Sequence, residues 1–277
     1  MAEVTAAAVK SLRDATDMPM MMCKQALQEA DGDAERATQI LMEKAGKRLE
    51  KRTENATEEG RIFVQVCDQS GRAVMVEVQC ESAPVATGAN LAEFGAMLTN
   101  QLLTGPGAET AEELLAQPAP QGGTLKDVFT ALSSKIQEKI VVNRVIRSEA
   151  PVGIYVHHDG KTAALFQATG EGKKTDILRD VAMHVAAMKP TVTNTCDADP
   201  ALVKAERDRL SEEARATGKP ENIIEKIVDG RMKLYYRDEA GVLAEQAFAK
   251  DDTKSVEQVL AESGYKAKAF TLWTLGK

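Results

Sequence analysis

The chain has 277 residues, with 35 Lys and Arg against 42 Asp and Glu and a formal net charge of −7. A hydrophobic share of 43% excludes wholesale disorder, while 4% aromatics argues against an all-β protein or an aromatic platform for nucleic acid. The acidic balance excludes a surface that clings to phosphate backbones, and no apolar run approaches the roughly 18 residues of a membrane span.

In chain order, residues 1 to about 46 read as a helical bundle. Val4, Ala8, Val9 and Leu12 form one apolar stripe, and Met20, Cys23 and Leu27 repeat at helical spacing. Asp31-Gly32-Asp33 is a turn with Asp33 as an N-cap, and Gly46 is the expected stop. Residues 47–59 are charged and polar, which predicts a linker or an exposed helix extension. Five consecutive residues, Met18 to Met22, surround a helix start. They cannot all face inward, so exposed methionine, an adaptable contact for a partner, is expected.

Two stretches then share one plan. In the first, strands at 62–67 and 73–80 flank a turn at Asp68-Gln69-Ser70-Gly71, and a helix follows over 91–103. In the second, strands at 153–158 and 162–168 flank Asp159-Gly160, and a helix follows over 175–188. Each acquires a further helix and strand: 125–136 with 140–146, and 255–260 with 267–275. The pattern predicts an α+β fold with small antiparallel sheets, helices on one sheet face, and an internal duplication. Within the second stretch, between the 175–188 helix and the last strand, sits an antiparallel helical hairpin. Asp199 caps its first helix at Pro200, Thr217-Gly218-Lys219-Pro220 turns, and Ile223, Ile224, Ile227, Val228 and Met232 line the return. Its narrow apolar seam must lie on the main body or pair with another copy. The expected domains are 1–52, a helical module; 53–147, a first core subdomain; and 148–277, a second, with the hairpin insertion at about 197–234.

Chemistry is sparse. The four cysteines, Cys23, Cys67, Cys80 and Cys196, form no C-x-x-C pair and stand apart from histidine, so no metal is expected. Their scatter, and the absence of a leader pattern in Met1 to Lys10, fit the reducing cytoplasm. No P-loop, dinucleotide fingerprint, nucleophile elbow or H-E-x-x-H pair occurs, so neither a cofactor nor an enzyme is expected. His157 and His158 are read as strand neighbours facing opposite ways, which keeps them from sharing an ion. His184 reads either as a helix-surface or semi-buried histidine or as a polar contact in a small-residue docking face.

Several blocks resemble elongation factor Ts proteins of bacteria. They include Val9-Lys10-Ser11-Leu12-Arg13, Cys23-Lys24-Gln25-Ala26-Leu27, Val76-Glu77-Val78 with Cys80, Met183 to Pro190, Gly218 to Val228, and Gln246-Ala247-Phe248. They run in family order along nearly the whole chain. The resemblance implies a guanine-nucleotide exchange factor, without covalent chemistry, for elongation factor Tu in its GDP-bound and nucleotide-free forms. It implies a three-helix module resembling ubiquitin-associated domains, two related subdomains, and a hairpin used for homodimer contacts in some members. No direct nucleic acid or membrane contact is implied.

Carried over by position, Lys10, Leu12, Arg13, Met20 and Met21 are implied to dock on the partner's nucleotide-binding domain. The exchange loop is Glu81, Ser82, Ala83, Pro84, Val85 and Ala86. The family's motif there reads Thr-Asp-Phe-Val-Ala, and its phenylalanine wedges into the partner. This chain has Ser82, Ala83, Pro84, Val85 and Ala86, so aspartate and phenylalanine are both replaced. Met183, His184, Ala186 and Ala187 match a contact with the partner's C-terminal domain. The altered loop leaves an alternative: a protein that binds and holds elongation factor Tu without exchanging its nucleotide.

Overall fold

Thr5 accepts a hydrogen bond from Ala8 N and starts α1 (Ala6–Thr16), which buries Val9 and Leu12 and ends at Asp17 in the left-handed conformation. These observations come from a computed structural model that describes residues 4–67, 70–172 and 175–277. Asp68 and Gln69 of the expected first turn lie outside the described residues.

Pro19 precedes α2 (Met20–Glu29), and Cys23, Ala26 and Leu27 face inward at helical spacing. Met18, not Met20, completes that face. Met18 is 1% exposed and Met20 49%. The reason is that the helix begins only after Pro19. Met18, just outside it, folds back towards Cys23 one turn on, as in a hydrophobic staple. Asp33 caps α3 (Ala34–Glu50) through Arg36 N, as its position predicts. The helix runs through Gly46 rather than stopping there. Glycine costs a helix about 1 kcal/mol relative to alanine. Good helix formers follow it, and Lys47 and Arg48 in the last turn favour the negative end of the helix dipole. Ala37, Leu41 and Ala45 close the three-helix core on Val9, Leu12 and Leu27.

The chain divides into two units. One comprises residues 1–65, 74–147 and 275–277, and the other 66–73 and 148–274. In the first, β1 (Glu59–Val66) and β2 (Ala73–Cys80) lead to a single helical turn, α4 (Ala83–Ala86). Then come α5 (Ala89–Thr104), α6 (Ala111–Leu115), α7 (Leu125–Ile136) and β3 (Ile140–Ser148). The sheet order is β1-β2-β3. Every residue of β2 is buried, Glu77 and Gln79 included. Since alternate side chains point to opposite faces, both faces of this central strand are covered, where the sequence predicts helices on one. Gly95 lets α5 approach β1, because a Cβ there would lie 2.5 Å from the Phe63 ring.

The second unit begins with β4 (Val152–Val156) and β5 (Thr162–Gly170), followed by α8 (Asp176–Met188). The helical hairpin is α9 (Pro200–Arg215) and α10 (Glu221–Asp238). Asp199 accepts from Ala201 N at 2.8 Å with Pro200 opening the helix, as expected. A two-stranded ribbon that the sequence pattern does not predict, β6 (Ala247–Phe248) and β7 (Asp251–Ser255), precedes α11 (Val256–Glu262) and β8 (Tyr265–Thr274). The sheet is antiparallel in the order β4-β5-β8, with Ile154 opposite Leu165 and Phe166 opposite Phe270. The late strand thus joins the second hairpin strand in both three-stranded sheets. Phe166, Leu178, Val181, Val185 and Leu260 form the core between α8, α11 and the sheet. The hairpin has its own seam of Leu210, Ala214, Ile224, Val228 and Met232.

Candidate partner-binding site

The first candidate surface lies on α1 and the start of α2. Lys10 and Arg13 are exposed, and Met21 is 65% exposed beside the half-exposed Met20. Leu12 turns the other way. It is buried with Val9, Cys23 and Leu27, because Val9 and Leu12 are one turn apart on the face that closes the bundle. At 4% exposure it packs in the bundle core, unlike its exposed neighbours Lys10 and Arg13.

The second is the segment Glu81–Ala86. Glu81 is clamped. Its Oε2 accepts from Arg52 Nη1 at 2.7 Å and Asn55 Nδ2 at 2.8 Å, and its Oε1 from Lys139 N at 2.6 Å. Partial burial raises the pKa of this carboxyl, but the bonds from Lys139, Asn55 and Arg52 outweigh it and hold it below the usual range. Ser82 Oγ donates to Glu138 Oε1 at 2.9 Å. The next four residues form α4 instead of an irregular loop. Pro84 fits its first turn, where a missing N–H costs nothing. Ala83 and Pro84 are exposed, Val85 is half-buried, and Ala86 is 6% exposed. Cys80 Sγ donates to Ser82 O at 3.3 Å, and burial pushes its thiol up to about 11, so it is an inert thiol.

The third lies on α8. Met183 and Ala186 are half-buried and Ala187 is exposed. They border a cavity of about 370 Å³ shared with Tyr155, His157, Asp159, Thr162 and Lys189. His184 does not join them, being completely buried. Ala249 N–H donates to its Nδ1 at 3.1 Å, so the ring proton sits on Nε2 and is given to Gln246 Oε1 at 3.0 Å. Burial lowers the His184 pKa, against a smaller upward pull from Gln246. With both nitrogens occupied, this histidine anchors α8 to the 246–249 segment and offers nothing to a surface.

His157 and His158 lie beyond the end of β4, and their rings are 4.2 Å apart. The strand alternation expected to separate them therefore does not apply. Among the described residues no three His, Cys, Asp or Glu side chains gather to hold a metal. Nor, among them, is any helix long and apolar enough to cross a membrane.

Residues 81–277 match the family model described as Elongation factor TS. The chain is also 40% identical over 283 residues to the elongation factor Ts of Paenarthrobacter aurescens (strain TC1), with all of both chains aligned. The chain belongs to the elongation factor Ts family. Further relatives are the elongation factor Ts of Chloroherpeton thalassium (strain ATCC 35110 / GB-78), 37% identical across 95% of this chain and 93% of that one, and of Thiobacillus denitrificans (strain ATCC 25259 / T1), 36% identical across 100% and 93%.

Elongation factor Ts proteins are exchange factors of translation elongation in protein biosynthesis, and the family's partner is elongation factor Tu. Two of the resemblance blocks acquire a structural meaning here. Gln246 Oε1 accepts the hydrogen bond from His184 Nε2, and the Phe248 ring packs 6.0 Å from that imidazole, so the two blocks meet in space. Sequence reasoning missed the Glu81 clamp, since Arg52, Asn55 and Lys139 lie 26 to 58 positions away and share no periodicity with it.

Proposed function

We propose that the chain is a guanine-nucleotide exchange factor that binds elongation factor Tu, GDP-bound and nucleotide-free, and promotes GDP release in the cytoplasm. The observation that carries the reading is the exposed Ala83–Pro84 turn on a clamped base, at the position of the family's exchange motif. Lys10, Arg13, Met20 and Met21 anchor one partner domain, and Met183, Ala186 and Ala187 another. Pro84 replaces the phenylalanine wedge with a smaller, rigid one. Residues 1–52, 53–147 and 148–277 act as module and two subdomains, and the hairpin within about 197–234 is the surface for a homodimer.

Exchange makes and breaks no covalent bond. The factor binds nucleotide-free partner better than nucleotide-bound partner, and linkage makes the weakening reciprocal. A coupling of about 4 kcal/mol corresponds to roughly a thousandfold change in affinity. No observation favours a protein that holds without exchanging.

The test is release of fluorescent mant-GDP from the cognate elongation factor Tu. The chain accelerates release, and Pro84→Gly lowers the stimulated rate more than it lowers binding to nucleotide-free partner. An unchanged GDP lifetime across a full titration refutes the exchange reading. Equal losses in both assays assign the loop to docking alone.

A further inference from the structure

The Glu81 carboxylate ties two segments distant in sequence to a third that directly follows it. One is the tail of α3. There Arg52 N bonds Leu49 O at 2.9 Å and Asn55 N bonds Arg52 O at 3.0 Å, so residues 49–55 continue the helix as linked turns. The second is the turn before β3, where Lys139 N meets Glu81 and Lys139 Nζ returns to Thr53 O at 2.6 Å and Asn55 O at 2.9 Å. The third is α4 itself, which starts two residues after Glu81. The Glu81 side chain is only 15% exposed. Charge-assisted bonds at such a site are short and directional. They fix an angle as well as supply energy.

The neighbouring tie is weaker. Ser82 meets Glu138 through one neutral donor, and Glu138 Oε2 is buried with no hydrogen-bond partner among the described residues. A buried carboxylate oxygen without a donor costs stability. Ser82 is thus a poor support for the loop, and Glu81 carries the connection.

We infer that Glu81 is a positioning residue: it locks α4 to the end of α3, so that the exchange turn is held at a set orientation to the N-terminal docking helices. The role rests on the exchange reading above. Without the lock, docking on α1 and α2 still occurs, but the turn swings and transmits less of that binding to the nucleotide site. Glu81→Gln keeps the shape of the side chain and removes the charge. Arg52→Gln removes the opposite charge.

The experiment has two parts. In the first, amide hydrogen exchange is followed on the full chain alone. Glu81→Gln should speed exchange in residues 50–55 and 83–88 together, leaving α1 and α2 as protected as before. In the second, mant-GDP release from elongation factor Tu is titrated. The maximal stimulated rate should fall about tenfold in either single variant, with the half-saturating concentration within about twofold, and the double variant should be no slower than the worse single one. Unchanged protection in both segments overturns the lock. So does a loss confined to half-saturation, or additive losses in the double variant. If the parent chain fails to stimulate release while the protection changes appear, the exchange reading falls and the mechanical joint stands.

Discussion

Arg144 grips a carboxylate that is sealed from solvent: its Nη2 lies 2.6 Å from Glu77 Oε2, and Glu77 is 0% exposed on the central strand β2. Gln79 Nε2 at 2.6 Å, Asn143 Nδ2 at 3.0 Å and Gly276 N at 3.3 Å bond the other oxygen. The site meets the condition under which a buried charge is tolerated, with both oxygens hydrogen-bonded. Removing one partner should therefore cost more than removing both. Arg144→Met should lower the unfolding free energy by about 3 kcal/mol, while Glu77→Leu with Arg144→Met recovers part of that. Urea unfolding of the single and double variants measures the difference. A double variant less stable than Arg144→Met would contradict this.

His184 makes stability depend on pH. Its folded pKa lies below its ordinary value of 6.5, chiefly because burial disfavours the imidazolium. The unfolded chain therefore binds a proton that the folded chain refuses. The contribution is fully present above pH 6.5 and is lost as pH falls from there towards the lowered folded value. His184→Asn should weaken the protein at about pH 8, through loss of the Gln246 and Ala249 bonds, and flatten its stability profile as pH falls below 6.5. Melting curves at half-unit pH intervals test this; parallel profiles for the two proteins would be the contrary result.

Gly153 permits a close approach of α8 to β4. A Cβ on it would stand 2.1 Å from Leu178 C and O and 2.5 Å from Arg179 N, all backbone atoms of α8. Nothing flexible can yield, so the helix must shift. Gly153→Ala should destabilise by about 2 kcal/mol or more, in the range of overpacked cores. Gly46→Ala, with open space around its Cβ position, should stabilise by about 0.5–1 kcal/mol. Chemical denaturation of both variants checks the opposite signs.

Pro84 stands on an exposed turn where the family's motif has phenylalanine. Phenylalanine offers more apolar surface to a partner pocket, at about 25 cal/mol per Å² buried. On the exchange reading proposed above, Pro84→Phe should raise the maximal rate of stimulated GDP release several-fold with little change in the chain's own melting temperature. Stopped-flow fluorescence reads the first and thermal unfolding the second. A variant that binds more tightly yet releases GDP no faster would separate the wedge from the docking surface.

Much of the architecture was legible because it is written in local patterns. The α7 stripe of Leu125, Val128, Phe129, Leu132 and Ile136 yields a helix with those bounds, and Asp199-Pro200 marks the start of α9. The helix boundaries near Gly46 and Pro19 were less legible. Whether a glycine ends a helix depends on the helix-forming strength of the residues beyond it. Whether Met18 or Met20 turns inward depends on where the first helical turn begins.

Residue order alone determined the helix and strand periods, the caps, the shared strand–strand–helix plan and the family, since each is carried by neighbours a few positions apart or by ordered blocks. Tertiary structure decided which charged and polar side chains work inside. It buried Glu77, enclosed His184 between Gln246 and Ala249, and brought Arg52, Asn55 and Lys139 onto Glu81. The physical reason is that burial and hydrogen-bond partnership are properties of packed surfaces. They join residues by distance in space, and no period along the chain encodes that distance.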